Sequence, residues 1–331
     1  MKKSTIIYEN VPGILLAFVL AVPAWFLGKY IPVVGGPVFG IILGMAAAFW
    51  KRPEAFNSGI KYTSKKLLQA AIILLGFEMN LYNVFKVGRQ SLFLMLFTLS
   101  AAFLTAWLAG RVLRVEGNIR TLIGVGTAIC GGSAIAATAP VIDADDKEVA
   151  YSISTIFLFN IAAVFIFPLA GHLLGMNDTG FGMWAGTAIN DTSSVVAAAY
   201  SYSDASGSLA TIVKLTRTLM IVPIALVLAL YTSKKNSKSR NFSFSKVFPW
   251  FVLGFIAASV LKTAAIIPVS LSTLLAQGGK FLIIMAMAAI GLNTHIKQMI
   301  SNGIKPILLG MSCWAAVAIT SLAVQHILGL W

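Results

Sequence analysis

The sequence predicts an all-α polytopic membrane protein with about eleven transmembrane helices, inverted repeats and two interrupted crossing helices. Of its 331 residues, 58% are hydrophobic and only 11% are charged, whereas a soluble domain is about a quarter charged. The apolar blocks are about twice as long as a barrel strand and lack period-two alternation. These observations exclude a soluble enzyme, a disordered chain and a nucleic-acid binder.

Each predicted span is a mostly apolar block of about 20 residues, the length that crosses a bilayer as an α-helix. The blocks fill the chain as a single transmembrane domain, 1–331, with a core sub-domain that includes about 67–141 and 180–231. The remaining helices are assigned to a panel sub-domain. In chain order, the predicted spans are 11–28, 32–50, 67–86, 91–113, 119–141, 149–174, 180–200, 208–231, 247–263, 270–292 and 306–329.

The distribution of basic residues predicts the orientation in the membrane. Most of the 25 Lys and Arg residues lie in connectors on the N-terminal side, such as those with Lys51, Lys65 and Lys234. Because cytoplasmic connectors are enriched in Lys and Arg, the N-terminus is predicted to be cytoplasmic and the C-terminus outside. The short basic N-terminus has no small-residue cleavage site, so we expect it to be retained rather than removed.

Two internal similarities predict duplicated structure. The GTAI of residues 126–129 recurs at residues 186–189, and small and hydroxyl residues follow both copies. Separately, the glycine spacing of 76–88 recurs at 291–303, in spans predicted to run in opposite directions. An inverted repeat of this kind is typical of secondary transporters, although two equal spacings can also arise by chance. The two GTAI spans would run the same way, so either one is re-entrant or the span count between them differs.

The first copy predicts a broken helix. Adjacent glycines at Gly131 and Gly132 weaken a helix, and freed backbone at membrane depth requires cover by protein or a cavity. The second half would begin near Ser133 and point N–H groups and a positive dipole end at mid-membrane, which suits an anion. Cys130, Gly131, Gly132 and Ser133 are therefore predicted substrate-binding residues. The alternative is that small residues only allow helices to pack closely.

The second copy has Asn190, Asp191, Thr192 and Ser193 at the same place. A carboxylate at this depth costs about 2.5–3.5 kcal/mol on insertion scales, so it requires a partner, a cavity or a proton. Asp191 is predicted to carry the coupling ion, to bind a cation or to be a counter-ion. The alternative is a structural cap of the broken helix. Asn190, Thr192 and Ser193 complete the predicted substrate-binding set.

Two cations lie within one predicted span. Lys214 and Arg217 are three residues apart and project from the same helix face. Beside Asp191 they would form a charge cluster able to hold an oxyanion, to which Arg offers a planar fork of donors. The alternative is a static ion pair between Asp191 and Arg217. Glu78, near the middle of the third predicted span, is either a second ion-coupling carboxylate or a partner of Lys280.

The sequence contains no HExxH, GxSxG, Walker or CxxC pattern, so we predict no enzymatic activity, no cofactor and no metal site.

Four segments resemble the YeiH-type family, named for sulfate export, and the similarity extends over nearly the whole chain. They are GTAICGGSAIAATAPVI (126–142), WAGTAINDTSSVVAAA (184–199), AxxxKLTR (210–217) and AIGLNTHIKQMISNGIKP (289–306). Members are bacterial inner-membrane proteins grouped by fold with sodium/proton antiporters and bile-acid symporters. The resemblance implies two crossing interrupted helices at 130–133 and 190–193, beside a panel domain, with alternating access between the two.

The predicted function is secondary active transport of a small anion such as sulfate, sulfite or an organosulfonate, coupled to H⁺ or Na⁺. One alternative is a cation/proton antiporter in which Asp191 exchanges the ions, and another is an anion channel or sensing module. The predicted partners are the anion, the coupling ion and the lipid bilayer. We expect no nucleic acid partner, and a homodimer is compatible with the sequence.

Overall fold

The computed structural model describes residues 2–31, 35–50, 52–221, 223–224, 227–228, 250–294 and 303–330. This part of the chain is helical and contains no strand, which confirms the all-α class. Five of its helices are long and apolar enough to cross a membrane: Glu9–Tyr30, Leu81–Val112, Lys147–Leu173, Val269–Leu292 and Ile304–Ile327. The end of the predicted span 208–231, the start of the span 247–263 and the basic connector between them lie outside the described residues.

The helices are numbered here in chain order. They are α1 (Lys2–Tyr30), α2 (Gly36–Ala47), α3 (Ala55–Tyr62), α4 (Leu68–Leu75), α5 (Leu81–Val112), α6 (Gly117–Ala128), α7 (Gly132–Thr138), α8 (Asp146–Leu173), α9 (Asp178–Ala188), α10 (Thr192–Tyr202), α11 (Asp204–Leu219), α12 (Trp250–Thr263), α13 (Val269–Leu292) and α14 (Ile304–Ile327). A π-helical turn, Thr63–Leu67, joins α3 to α4, and a 3₁₀ turn, Gly76–Glu78, follows α4.

Local capping explains where several helices begin. Asp145 and Glu148 form a capping box at the start of α8, in which each side chain accepts the backbone N–H of the other residue. The Asn177 side chain caps α9, and the Ser203 side chain caps α11. Such caps satisfy N–H groups that have no partner within the helix.

The fifth predicted span is a helical hairpin formed by α6 and α7. Asn118, at the start of α6, donates its Nδ2 to Glu148 Oε2 at 2.9 Å, and Glu148 follows α7 in the chain. Between the helices, the Ile135 side chain packs against the backbone of Gly126. Both ends of this segment therefore lie together. We call residues 117–138 hairpin 1, and we call its turn, residues 129–131, tip 1.

The seventh predicted span is a second helical hairpin, formed by α9 and α10. Tyr202, the last residue of α10, donates its hydroxyl to the carbonyl oxygen of Met176 at 2.5 Å. The next residue, Ser203, donates its hydroxyl to Asp178 Oδ1 at 2.7 Å. The end of α10 thus returns to the start of α9. We call residues 178–202 hairpin 2 and its turn, residues 189–191, tip 2.

The two hairpins approach each other from opposite ends of α8. Glu148, at the start of α8, contacts the open end of hairpin 1, and His172, near its end, stacks on the last ring of hairpin 2. Midway along α8, the side chain of Asn160 lies beside Gly131 of tip 1. A Cβ built on Gly131 would also lie 3.3 Å from Asp191 Cβ of tip 2. The tips therefore meet beside the middle of α8.

These contacts correct the prediction that 119–141 and 180–200 are crossing helices. The breaks occur where they were predicted, between Ala128 and Gly132 and between Ala188 and Thr192. However, each chain segment reverses at its break and returns to the end of the bundle at which it began. At tip 1 the reversal uses Gly131 at a φ of 68°, a conformation that glycine adopts without steric cost. Because both segments reverse, the conflict over their direction disappears.

The third predicted span, 67–86, is also displaced. The helical segment begins at Ala55, runs through the basic residues of the π turn and ends at Glu78. Asn80 then caps α5, since its side chain accepts the N–H of Tyr82 at 2.9 Å. Glu78 consequently lies in the connection between two helices, with its side chain about one-third exposed, rather than in the middle of a span.

The remaining helices pack through small residues. Gly44 of α2 and Gly291 of α13 bring their backbones so close that a Cβ on Gly44 would lie 3.0 Å from Gly291 Cα. Close approach of this kind is typical of helix contacts in membranes. On α5, by contrast, Leu96 and Leu104 are exposed, as expected of side chains that face lipid. The division of the chain into core and panel sub-domains stays a prediction.

Candidate functional site

The candidate site is the place where four helix ends meet. The C-terminal ends of α6 and α9 and the N-terminal ends of α7 and α10 all lie at the two tips. Helix α11 runs beside α9, and the close approach of Gly186 to Val213 lets it reach the tips. We call the place where these helix ends meet the tip junction. Its residues are Thr127, Cys130, Gly131, Gly132, Ser133, Asn160, Asn190, Asp191, Thr192, Ser193, Lys214 and Arg217.

Lys214 joins the two tips. Its side chain is completely buried, and its Nζ donates to Ile129 O of tip 1 at 2.8 Å and to Ile189 O of tip 2 at 3.0 Å. A third hydrogen bond goes to Asn190 O of tip 2. An ammonium group has three donors, so all of them are used on backbone carbonyls of opposite hairpins.

Arg217, one helical turn further along α11, is also completely buried. Its Nε donates to Ala128 O at 2.6 Å, and its Nη2 donates to Thr127 O, both at the end of α6. Its Nη1 donates to Thr187 O at the end of α9. The last carbonyls of a helix have no partner within it and carry the negative end of its dipole. Arg217 and Lys214 therefore neutralise the two helix C-termini.

This geometry corrects one alternative for the cations. None of the ion pairs within the described residues joins Asp191 to Lys214 or Arg217, so the alternative of a static Asp191–Arg217 ion pair is wrong for this part of the chain. All three donors of the Lys214 ammonium bond carbonyl oxygens, whereas the guanidinium of Arg217 has five donors and makes four such bonds. Direct binding of an anion by these two cations stays a prediction.

Asp191 is bonded within its own hairpin. Its Oδ1 accepts the N–H of Ser194 at 3.3 Å, which caps α10, and its Oδ2 accepts the hydroxyl hydrogen of Ser193. The capping role that the sequence left open is therefore present. Asp191 and Thr192 are half-buried, whereas Asn190 is buried.

Tip 1 provides the second helix N-terminus. Cys130 and Gly131 are buried, Gly132 is half-buried and Ser133 is exposed. Together with Asp191 of tip 2 and Thr192, the first residue of α10, Gly132 and Ser133 form the accessible edge of the tip junction. The first N–H groups of α7 and α10 have no partners within their helices and meet at this edge. The structure thus brings together the predicted residues of both copies.

Glu78 is not part of the tip junction. Its Oε1 lies 3.2 Å from Lys280 Nζ, and the same Nζ lies 2.8 Å from Asp204 Oδ1. The predicted pairing of Glu78 with Lys280 is present, at the open end of hairpin 2 where α11 begins.

Sequence reasoning missed Asn160 and Thr127. Asn160 lies in the middle of α8 and is 1% exposed, and neither of its side-chain polar atoms has a hydrogen-bond partner in the described part of the chain. The available signal was an isolated carboxamide within a long apolar segment, which carries a desolvation cost unless it has a partner. The hydroxyl oxygen of Thr127, in the last turn of α6, is likewise buried and unpaired there.

Comparisons with known proteins find related sequences along nearly the whole chain. The family model of conserved hypothetical protein 698 matches residues 12–310. A UPF0324 membrane protein of Streptococcus agalactiae serotype V is 49% identical over 332 residues, which cover 98% of this chain and 99% of that protein.

A UPF0324 membrane protein of Fusobacterium nucleatum is 48% identical over 340 residues, covering 96% of this chain and 98% of that protein. One of Streptococcus mutans is 48% identical over 338 residues, covering 98% and 99%. No solved structure matches. The chain belongs to the family of conserved hypothetical protein 698, the YeiH-type family of UPF0324 membrane proteins.

Proposed function

We propose that this membrane protein is a secondary active transporter that moves a small anion, such as sulfate, sulfite or an organosulfonate, by alternating access coupled to H⁺ or Na⁺. One observation carries the proposal: the N-termini of α7 and α10 converge at the tip junction while buried cations neutralise the opposing C-termini. Helix N-termini are ready anion-binding sites because their N–H groups and dipoles favour negative charge.

The electrostatic potential at the tip junction depends on which helix ends remain uncompensated. Four helix ends at one place would largely cancel, since two are positive and two are negative. Lys214 and Arg217 remove the negative contribution by bonding the carbonyls of α6 and α9. In this proposal the anion lies on N–H groups near Gly132, Ser133, Thr192 and Ser193. The two cations act through their field and hold the tips in place.

We propose nine membrane-crossing segments with the two hairpins re-entrant between them. Two of the eleven predicted spans become hairpins 1 and 2, and their tips meet near the middle of the membrane. Hairpin 1 with α8 and hairpin 2 with α11 are then the two halves of an inverted repeat, because each hairpin precedes a helix that begins at its open end. The N-terminus is cytoplasmic, the C-terminus is outside, and the protein lies in the bacterial plasma membrane.

Asp191 is the proposed coupling residue. It is the acidic side chain at the accessible edge of the tip junction, and it lies beside the proposed anion. A carboxylate there can take up H⁺ or Na⁺ when the anion binds, which reduces repulsion between the two negative groups. The same position supports a second candidate function, a cation/proton antiporter in which Asp191 exchanges the two ions and the helix N-termini bind no substrate.

A ligand-stability screen tests the proposal and separates the two candidates. The purified protein is heated with sulfate, sulfite, methanesulfonate, Na⁺ or Li⁺, and ligands that bind the folded state raise Tm. Stabilisation by the anions supports anion transport, and counterflow of the labelled anion in reconstituted vesicles completes the test. Stabilisation by Na⁺ alone, dependent on pH, would favour the antiporter. Unitary currents without counterflow would contradict a carrier of either kind.

A further inference from the structure

Three polar side chains at the tip junction are buried without hydrogen-bond partners within the described residues. They are the Thr127 hydroxyl and the carboxamides of Asn160 and Asn190. Both asparagines are 1% exposed. Buried polar groups are almost always hydrogen-bonded, and an unpaired one at a functional place indicates a missing partner such as a ligand. The three side chains belong to three separate elements that meet at the junction, α6, α8 and tip 2.

The position of Asn160 relative to tip 1 and tip 2 locates this group. A Cβ built on Gly131 would lie 3.6 Å from Asn160 Nδ2 and 3.3 Å from Asp191 Cβ. The same Cβ would lie 3.3 Å from Ile156 Cγ2, so Asn160, Asp191 and Ile156 pack closely around the Gly131 backbone. This place adjoins the first turn of α7, where N–H groups lack helical partners.

The chemistry of these groups distinguishes between anions. Each carboxamide offers two donors and one acceptor, whereas an ionised carboxylate offers acceptors only. A fully deprotonated dianion could use the donors, but it would leave both carboxamide oxygens unpaired and would repel Asp191. A singly charged oxyanion that carries a hydroxyl group can accept from the N–H groups and donate to Asn160, Asn190 or Asp191.

We propose that Asn160 and Asn190 are ligand-binding residues and that the site they complete selects a singly charged oxyanion with a hydroxyl group, such as hydrogensulfite. This inference rests on the proposed function and specifies its substrate class. The selectivity comes from the acceptors of the site, which an anion without a hydrogen to donate leaves unpaired.

The test compares three probes on the purified wild-type protein in a mildly acidic buffer in which hydrogensulfite is the main sulfite species. Hydrogensulfite and methanesulfonate have similar size and equal charge but differ in the hydroxyl group, and sulfate is the dianion. We expect hydrogensulfite to raise Tm at concentrations at least tenfold lower than the other two. Equal stabilisation by methanesulfonate or sulfate would overturn the proposed selectivity.

The role of Asn160 is tested with Asn160→Leu, which removes the carboxamide at similar volume. The variant should keep or raise the Tm of the free protein, because an unpaired buried polar group is lost, and should lose at least tenfold in apparent affinity for hydrogensulfite. Asn160→Ala provides the same reading without a branched side chain if leucine prevents folding.

Thr138→Val is the matched control, because the Thr138 hydroxyl is also buried and unpaired in the described part of the chain but lies two helical turns from tip 1. It should show the same change in the free protein and a wild-type response to hydrogensulfite. A wild-type response of the Asn160 variants would overturn their ligand role. A wild-type protein that no anion stabilises would overturn the transport proposal itself, and the ligand role with it.

Discussion

Replacing Arg217 by methionine tests whether the buried guanidinium holds the tips together. Methionine keeps much of the side-chain volume, so the principal change is the loss of donors to the carbonyls of Thr127, Ala128 and Thr187. A buried carbonyl left unpaired costs about 1–3 kcal/mol, and exchange of partners within a membrane protein reduces this. We therefore expect a loss of about 3–5 kcal/mol in the free energy of unfolding.

The assay is thermal unfolding of the detergent-solubilised protein, followed by tryptophan fluorescence. Since 1 kcal/mol shifts Tm by about 2–4 °C in domains of 150–250 residues, and larger chains shift less, Tm should fall by roughly 6–10 °C. The matched control is Arg111→Met, because Arg111 is exposed on α5 and contacts the Trp107 ring, at 4.2 Å from its centroid. An exposed cation–π contact is worth only about 0.5–1 kcal/mol, so the control should shift Tm by about 2 °C or less.

Transport and membrane insertion provide the second reading for Arg217. Both Arg217→Met and Arg217→Ala should reach the membrane in normal amounts, because the long apolar helices that direct insertion are unchanged, and both should lose transport in reconstituted vesicles. If Arg217→Met unfolds at the temperature of Arg111→Met, the carbonyls at the tips are satisfied without the guanidinium. Transport at the wild-type rate by either Arg217 variant would likewise show that the guanidinium is not needed for transport.

Four further substitutions separate the roles of the tips from those of other elements. Gly131→Ala and Gly175→Ala both place alanine at positive φ, 68° and 62°. Gly175→Ala should cost about 1–2 kcal/mol, since nothing lies within 4 Å of a Cβ there. Gly131→Ala should cost more, because its ψ of −130° belongs to a region that glycine almost alone adopts and its Cβ would lie 3.3 Å from Asp191 Cβ. Only Gly131→Ala should abolish stabilisation by anions. Asp191→Asn should keep Tm near the wild-type value, because Asn caps a helix as well as Asp. A pH or Na⁺ gradient should no longer drive uptake by this variant. If such a gradient still drives uptake, Asp191 only caps α10. Glu78→Gln should change the free energy of unfolding by less than about 1 kcal/mol, because the pair that Glu78 forms with Lys280 is partly exposed. We expect coupled uptake at the wild-type rate. Loss of coupling in this variant would identify Glu78 as a coupling residue.

The breaks in both repeated segments could be predicted because their cause is local. Adjacent glycines and hydroxyl residues disfavour a helix wherever they occur, so Gly131 and Gly132 marked the first break and the repeat marked the second. The direction of the chain after each break is not a local property. It depends on contacts such as the Tyr202 hydroxyl with Met176 O, between residues that hydrophobic periodicity does not relate. A segment long enough to cross the membrane was therefore interpreted as a crossing helix.

The cations illustrate the same limit. Their burial followed from their place in an apolar block, since two charged residues there must face the protein interior. Their partners did not follow, because a sequence identifies acidic side chains but does not show which backbone carbonyls lack a hydrogen-bond partner. Asp191 was the visible candidate partner, whereas the carbonyls at Ala128 and Ile189 become available only when the helices break. The partner of a buried cation next to a predicted helix break is thus underdetermined by charge matching alone.

The bonds of Lys214 also restrict how alternating access can occur. Its ammonium group contacts Ile129 O of tip 1 and Ile189 O of tip 2, so separating the tips would leave a buried cation without part of its coordination. A hydrogen bond to a charged group contributes about 1.5–3 kcal/mol, which is comparable to the few kcal/mol that separate two populated conformations. Motion that keeps both hairpins and α11 together avoids this cost. The proposed transport cycle therefore requires both hairpins and α11 to move as a unit, with the Lys214 bonds to Ile129 O and Ile189 O kept.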